Sequence, residues 1–180
     1  QLFAIGGGVA TNDIRSEVDA HVLTSTIDAA SDLALLAENQ DQISVITGGG
    51  AGAMAFAVGA AVSLNEIESN VKAHVSDSQV TTGSDVSVTA RSASTIMALA
   101  IGGAGAQLFA LGGGIATNEI HSDIDAHVMG ASINSGLYVG VLAENDDQIR
   151  VLTGGVAVAG GFGIGAGVSL NEIESNLRAC

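Results

Sequence analysis

The chain has 180 residues, 25 of them Gly and none Pro or Trp, with aromatics at 3% and a net charge of −14 carried against only five Lys plus Arg. So few cations exclude a nucleic-acid binder, which sets clustered Lys and Arg against phosphate, and a surface that docks on anionic lipid. One Cys excludes an internal disulfide framework, and Gly breaks every apolar run, Thr95–Gly114 included, before it reaches the ~18–20 residues of a membrane helix, so no membrane insertion is expected.

Beginning at Gln1 without Met or a leader-like run, the sequence reads as a portion of something longer. Hydrophobic residues make up 47%, mostly Ala, Val, Ile and Leu. Small aliphatic side chains suit thin, tightly stacked layers better than a broad interior. The lack of Pro suits a backbone whose N–H groups are nearly all needed by a ladder.

Internal repetition governs everything else. Residues 1–22, QLFAIGGGVATNDIRSEVDAHV, recur at 107–128 as QLFALGGGIATNEIHSDIDAHV, with 16 of 22 positions identical. VSLNEIESNVKAHV from Val62 and VSLNEIESNLRAC from Val168 share the same offset of 106. Aligning the two pairs with each other halves the period to 53 without a gap. Asn12, Asn65, Asn118 and Asn171 then form one column, Ile14, Ile67, Ile120 and Ile173 a second, and Gly6, Gly59, Gly112 and Gly165 a third. Residues 1–180 are thus expected to be one continuous segment holding a little over three copies.

Taken in chain order through one copy, alternating runs appear near 85–91, 94–101, 106–111, 114–120, 122–128 and 131–134, separated by Gly, Asn or Ser. In the first, Val86, Val88 and Ala90 share a face. In the fifth, Ile124, Ala126 and Val128 point one way, and Asp123, Asp125 and His127 the other. No amphipathic helical stretch separates the runs, which excludes βαβ units. An all-β parallel β-solenoid is predicted, with two coils of roughly 26 residues and three strands each per repeat. One six-strand coil of 53 residues is the alternative. Either way, each repeat offers an open edge to the next.

The columns carry the chemistry. The Asn column is expected at a turn, as a structural ladder in which each side-chain amide hydrogen-bonds to the same amide in the next layer. The Gly columns supply positive φ or close backbone approach, and Gly112-Gly113-Gly114 lacks the GxxxxGK context of a phosphate loop. Outward charges alternate in sign from copy to copy: Asp19, Lys72, Asp125, Arg178 in one column and Glu38, Arg91, Glu144 in another. Arg15, Glu68, His121 and Glu174 do nearly the same. Alternation converts like-charge repulsion between layers into cross-strand pairing, and explains why 106 is the period of highest identity. One column breaks the rule, Asp13, Glu66, Glu119 and Glu172 being all acidic. These carboxylates are the Ca²⁺ candidates. EF-hand spacing is absent, however, and two coils per repeat would hold successive members ~10 Å apart, so a solvated face is the expected reading. The acidic segments Glu38–Asp41 and Glu144–Asp147 are read as turns of the same kind. His21, His74, His127 and Cys180 form another outward column; no second ligand column accompanies it, so no metal site or cofactor is predicted there.

The pattern SDVSVTARSASTIMALAIGGAGA, followed by a short aliphatic strand, Asn-Glu-Ile and an AHV-type strand, resembles the repeats of very large bacterial filamentous adhesins, the filamentous-haemagglutinin-like and leukotoxin-type proteins. The resemblance covers essentially the whole chain. It implies a right-handed parallel β-helix shaft, extracellular or at the cell surface, exported by a two-partner or autotransporter route. The secretion domain and the receptor-binding tip of such proteins have no counterpart in this segment. The expected function is a structural shaft or filament segment that self-associates end to end, with a receptor on a host or neighbouring cell as a further partner. A Ca²⁺-binding or other surface-binding solenoid is the alternative. No enzyme is expected, because a lyase or hydrolase on this scaffold needs a cluster of acids and bases unique to one place, and the copies here are nearly uniform.

Overall fold

Alternation between inward and outward side chains continues without a slip for about twenty residues at a time. A computed structural model describes residues 1–180, and it is built from β-strands and turns. In chain order the strands are β1 Phe3–Leu23, β2 Thr26–Ala29, β3 Leu33–Gly52, β4 Phe56–Ser76, β5 Gln79–Thr82, β6 Val86–Ala106, β7 Phe109–Met129, β8 Ser132–Ser135, β9 Val139–Asn145, β10 Gln148–Ala159 and β11 Phe162–Ala179. All pairing is parallel. It forms three sheets: β1-β4-β7-β11, then β3-β6 continued by β9 and β10, and the small β2-β5-β8.

Every paired residue meets the one 53 positions along the chain: Asn12 lies beside Asn65, Ile43 beside Ile96, Ile27 beside Val80. The chain is therefore a parallel β-solenoid with three strands per coil, and one coil consumes the whole repeat. The expected pair of 26-residue coils is replaced by a single coil with sides of 21, 4 and 21 residues, as in β4, β5 and β6. The six short runs of the sequence fuse into two long strands and one short one. Gly, Asn and Ser looked like punctuation, but Gly102, Asn118 and Ser122 all occupy inward positions of unbroken strands.

Each coil is a flattened triangle. At its blunt end the chain turns through the four-residue strand, entering it by a left-handed residue in every copy: Thr24 and Asp77 at φ 48° and Gly130 at φ 63°. At its sharp end two long strands meet across a short link, such as Gln107-Leu108 between β6 and β7.

The interior changes along the triangle. Near the blunt end Val71, Val75, Val80, Val86, Val88 and Ile124 make an aliphatic core. A belt of Ser and Asn follows, then a layer of Ile43, Ile67, Ile96 and Ile120. Beyond it Ser63, Asn65 and Thr47 point inward, and at the sharp end itself only Ala and Gly do, because the two large sheets close to backbone contact. A methyl group on Gly59 would overlap the carbonyl oxygen of Gly103, and one on Gly102 the carbonyl oxygen of Gly113. The Gly columns thus serve close approach.

Candidate functional site

Outer faces inherit the opposite pattern from the interior. In β4 the outward side chains are Phe56, Val58, Val62 and Leu64 over the Gly/Ala half, then Glu66, Glu68, Lys72 and His74 over the aliphatic half. On the far sheet Met97, Leu99 and Ile101 cover the same sharp end. Phe3, Phe56, Phe109 and Phe162 stack up the ladder with ring centroids 5.1–6.3 Å apart. No charged residue occurs in 42–65, 92–118 or 151–171. The molecule is therefore a slab with one charged half and one apolar half, and the acidic surface covers only the former.

Inside, the Asn column forms a continuous amide ladder. Asn12 Nδ2 donates to Asn65 Oδ1 at 2.8 Å, Asn65 to Asn118 at 2.7 Å, and Asn118 to Asn171 at 2.9 Å. The ladder lies mid-strand rather than at a turn, with Asn65 4% and Asn118 1% exposed. Position in a strand was invisible locally because Asn is a turn former by propensity.

The first acidic segment is strand rather than turn, whereas Asp146-Asp147 of the second form the break between β9 and β10. Glu38–Asp41 belongs to β3, where alternation turns Glu38 outward and Asn39 and Asp41 inward. Asp41 accepts from Ser16 Oγ at 2.9 Å and from Asn39 Nδ2 at 2.6 Å. One 106-residue register later, Asp147 accepts from Ser122 Oγ at 2.8 Å, from Asn145 Nδ2 at 2.6 Å and from the Ser94 amide at 3.1 Å. Donors on facing strands thus satisfy both partly buried carboxylates.

Outward, the alternating columns produce real pairs. Arg15 Nε lies 3.4 Å from Glu68, Arg91 Nε 2.8 Å from Glu144, and His121 Nε2 3.3 Å from Glu174. All are half-exposed, so each contributes at most about 1 kcal/mol. The calcium candidates Asp13, Glu66, Glu119 and Glu172 stand in register on adjacent strands. Their backbones are thus about 4.8 Å apart rather than ~10 Å. Two of them are engaged on their own strands: Asp13 with Arg15 at 3.3 Å and Glu119 with His121 at 3.3 Å.

The His column is where the fold adds most. His21, His74 and His127 stack with ring centroids 5.5 and 5.0 Å apart. The backbone of Cys180 continues the column, its N–H bonded to Ala126 O and its carbonyl to Val128 N. Two residues earlier on the same face runs the Asp19, Lys72, Asp125, Arg178 column. Asp19 faces two rings instead of the lysine, with Oδ2 3.5 Å from His21 Nδ1 and Oδ1 3.5 Å from His74 Nε2. One potential ligand atom from each of these three residues lies within 4.8 Å of the others. This second ligand column was missed in the sequence. Its signal is the Asp-x-His spacing at 19–21 and 125–127, which puts both side chains on one face of a strand.

The surface depressions are grooves that cut across equivalent positions of successive coils, such as Glu38, Arg91 and Glu144 or Ser44, Met97 and Arg150. The chain matches no family model, no curated protein and no solved structure.

Proposed function

We propose that this segment is a structural element of an extracellular filament, a ribbon-like shaft of the kind implied by its resemblance to bacterial filamentous adhesins. The observation that carries the reading is the uniform offset of 53 in all three sheets. A ladder without slips transmits tension through backbone hydrogen bonds in every coil at once, and adding coils leaves the cross-section unchanged. Strand edges at the two ends of the stack supply the means of end-to-end self-association, whether with further repeats or with another copy. A receptor on a host or neighbouring cell remains the further partner of such a filament.

Negative-stain electron microscopy tests the proposal. Ribbons of varied length and one constant width, about 70 Å for a 21-residue strand, are the expected result. Uniform globules at every concentration would overturn it.

The apolar half favours one other reading, a surface-binding module. Phe56 is 41% and Ile101 39% exposed in the middle of the stack, and contiguous apolar patches mark interaction sites. The calcium version has its own test, a melting curve with and without excess CaCl₂. An unchanged midpoint disposes of it.

A further inference from the structure

We propose that Asp19, His21 and His74 form a site for a divalent transition-metal ion, best matched by zinc, and that the site recurs one 106-residue register later on Asp125, His127 and Cys180. Three observations converge on it. The first is geometric. In a tetrahedral site with bonds of about 2.0–2.1 Å, ligand atoms stand roughly 3.3–3.4 Å apart. The Asp19 carboxylate reaches both histidines at 3.5 Å, through Oδ2 to His21 Nδ1 and through Oδ1 to His74 Nε2. The remaining gap between the rings, already within 4.8 Å, closes by tilting side chains that are 51% and 19% exposed. Two His and one carboxylate leave further coordination positions open to water or to another ligand.

The second observation separates a metal site from a plain ion pair between carboxylate and histidine. Position 180 is the counterpart of His74 at an offset of 106, and it holds Cys. A thiol cannot replace a protonated imidazole as the cation beside a carboxylate. Deprotonated to the thiolate, it can take the place of a neutral imidazole as a zinc ligand. The accompanying Asp follows the same period: Asp19 and Asp125 occupy the coils whose next layer supplies His74 or Cys180, whereas Lys72 and Arg178 occupy the others.

The third lies at the second site. Asp125 Oδ1 and His127 Nδ1 are 3.1 Å apart and shut off from solvent, which repeats the Asp–His half of the first site, and the exposed Cys180 side chain completes it by turning inward. A set of N, O and S ligands is too soft for Ca²⁺ or Mg²⁺, which take oxygen.

The test is titration of the metal-stripped, reduced 180-residue chain with CoCl₂, followed by displacement with ZnCl₂. The expected result is a visible d–d absorption that saturates at two Co²⁺ per chain and is abolished by zinc but not by excess CaCl₂. A near-ultraviolet thiolate-to-cobalt band should accompany it. Asp19→Asn and His74→Gln should each halve the visible absorption and keep the near-ultraviolet band, weakening the first site by more than the ~10–100-fold that loss of a supporting partner costs. Cys180→Ser should remove the near-ultraviolet band alone. His121→Gln, on the same face but outside both sites, should change nothing. All four positions face outward, and circular dichroism of each variant confirms the fold. Absence of saturable absorption, binding untouched by Asp19→Asn and His74→Gln, or binding lost with His121→Gln would overturn the proposal. A near-ultraviolet band that is absent, or indifferent to Cys180→Ser, would overturn the recurrence.

Discussion

Asn65 accepts a hydrogen bond from Asn12 at 2.8 Å, donates one to Asn118 at 2.7 Å and reaches Ser63 at 3.0 Å, all with 4% of its surface exposed. A buried amide in this position costs nothing while every member of the ladder is present, and a great deal when one is removed. Asn65→Ala orphans the Asn12 donor and the Asn118 acceptor, at roughly 1–3 kcal/mol for each group left unpaired. Asn171→Ala breaks one ladder bond and a long 3.5 Å contact to Ser169 at an exposed rung, so its loss should be well under half as large. Urea unfolding of the two variants measures the difference, and equal losses would mean that ladder continuity contributes nothing. The ladder itself was legible, because four Asn at a constant offset have few other uses. Its burial at mid-strand was not, since propensity places Asn at turns and only the facing sheet encloses it.

Glycine shows the same split at the level of the strand. Gly59 faces inward against the Gly103 carbonyl, whereas Gly48 faces outward into open space. Gly59→Ala must push the two large sheets apart along the ladder, and should lower the melting midpoint sharply. Gly48→Ala meets nothing and removes only unfolded-state freedom, which stabilises by about 0.4–1 kcal/mol. Thermal melts of the pair check both signs. Pairing between strands has its own register. Deleting residues 54–106 stacks β1 on β7, so Glu17 meets Asp123, Asp19 meets Asp125 and Glu38 meets Glu144. Deleting residues 1–53 leaves a chain of equal length with the natural alternation. The first variant should be less stable by about 1–2 kcal/mol at low salt, from several like-charge pairs of about 0.2–1 kcal/mol each. The gap should shrink at 1 M NaCl, where screening falls to about 3 Å. A gap independent of salt would remove the electrostatic account of the 106-residue period.

At the scale of the molecule, 53 residues advance the stack by a single strand spacing of about 4.8 Å, while each coil extends about 70 Å across. The segment is a thin slice of a broad ribbon. Neighbouring coils bury one another's aliphatic and Gly/Ala layers, so stability should grow with coil number. Inserting another copy of residues 54–159, a full 106-residue register, should raise the melting midpoint and sharpen the transition. An unchanged midpoint would mean that coils fold independently. The same geometry explains the two-sided surface. Where large side chains fill the interior, the outside is charged; where the sheets touch through Gly and Ala, the large apolar groups have nowhere to go but out.

Repeat length and the inward or outward sense of most side chains follow from the sequence alone. They depend only on identity at a fixed offset and on the two-residue period of a strand, both of which are local. Only the tertiary structure decides how far the chain runs before it turns, that the Gly-rich half closes to backbone contact, and that Asp19 meets His21 and His74. Those outcomes depend on the opposite sheet and the next coil, which lie dozens of residues away and set the spacing into which each side chain must fit.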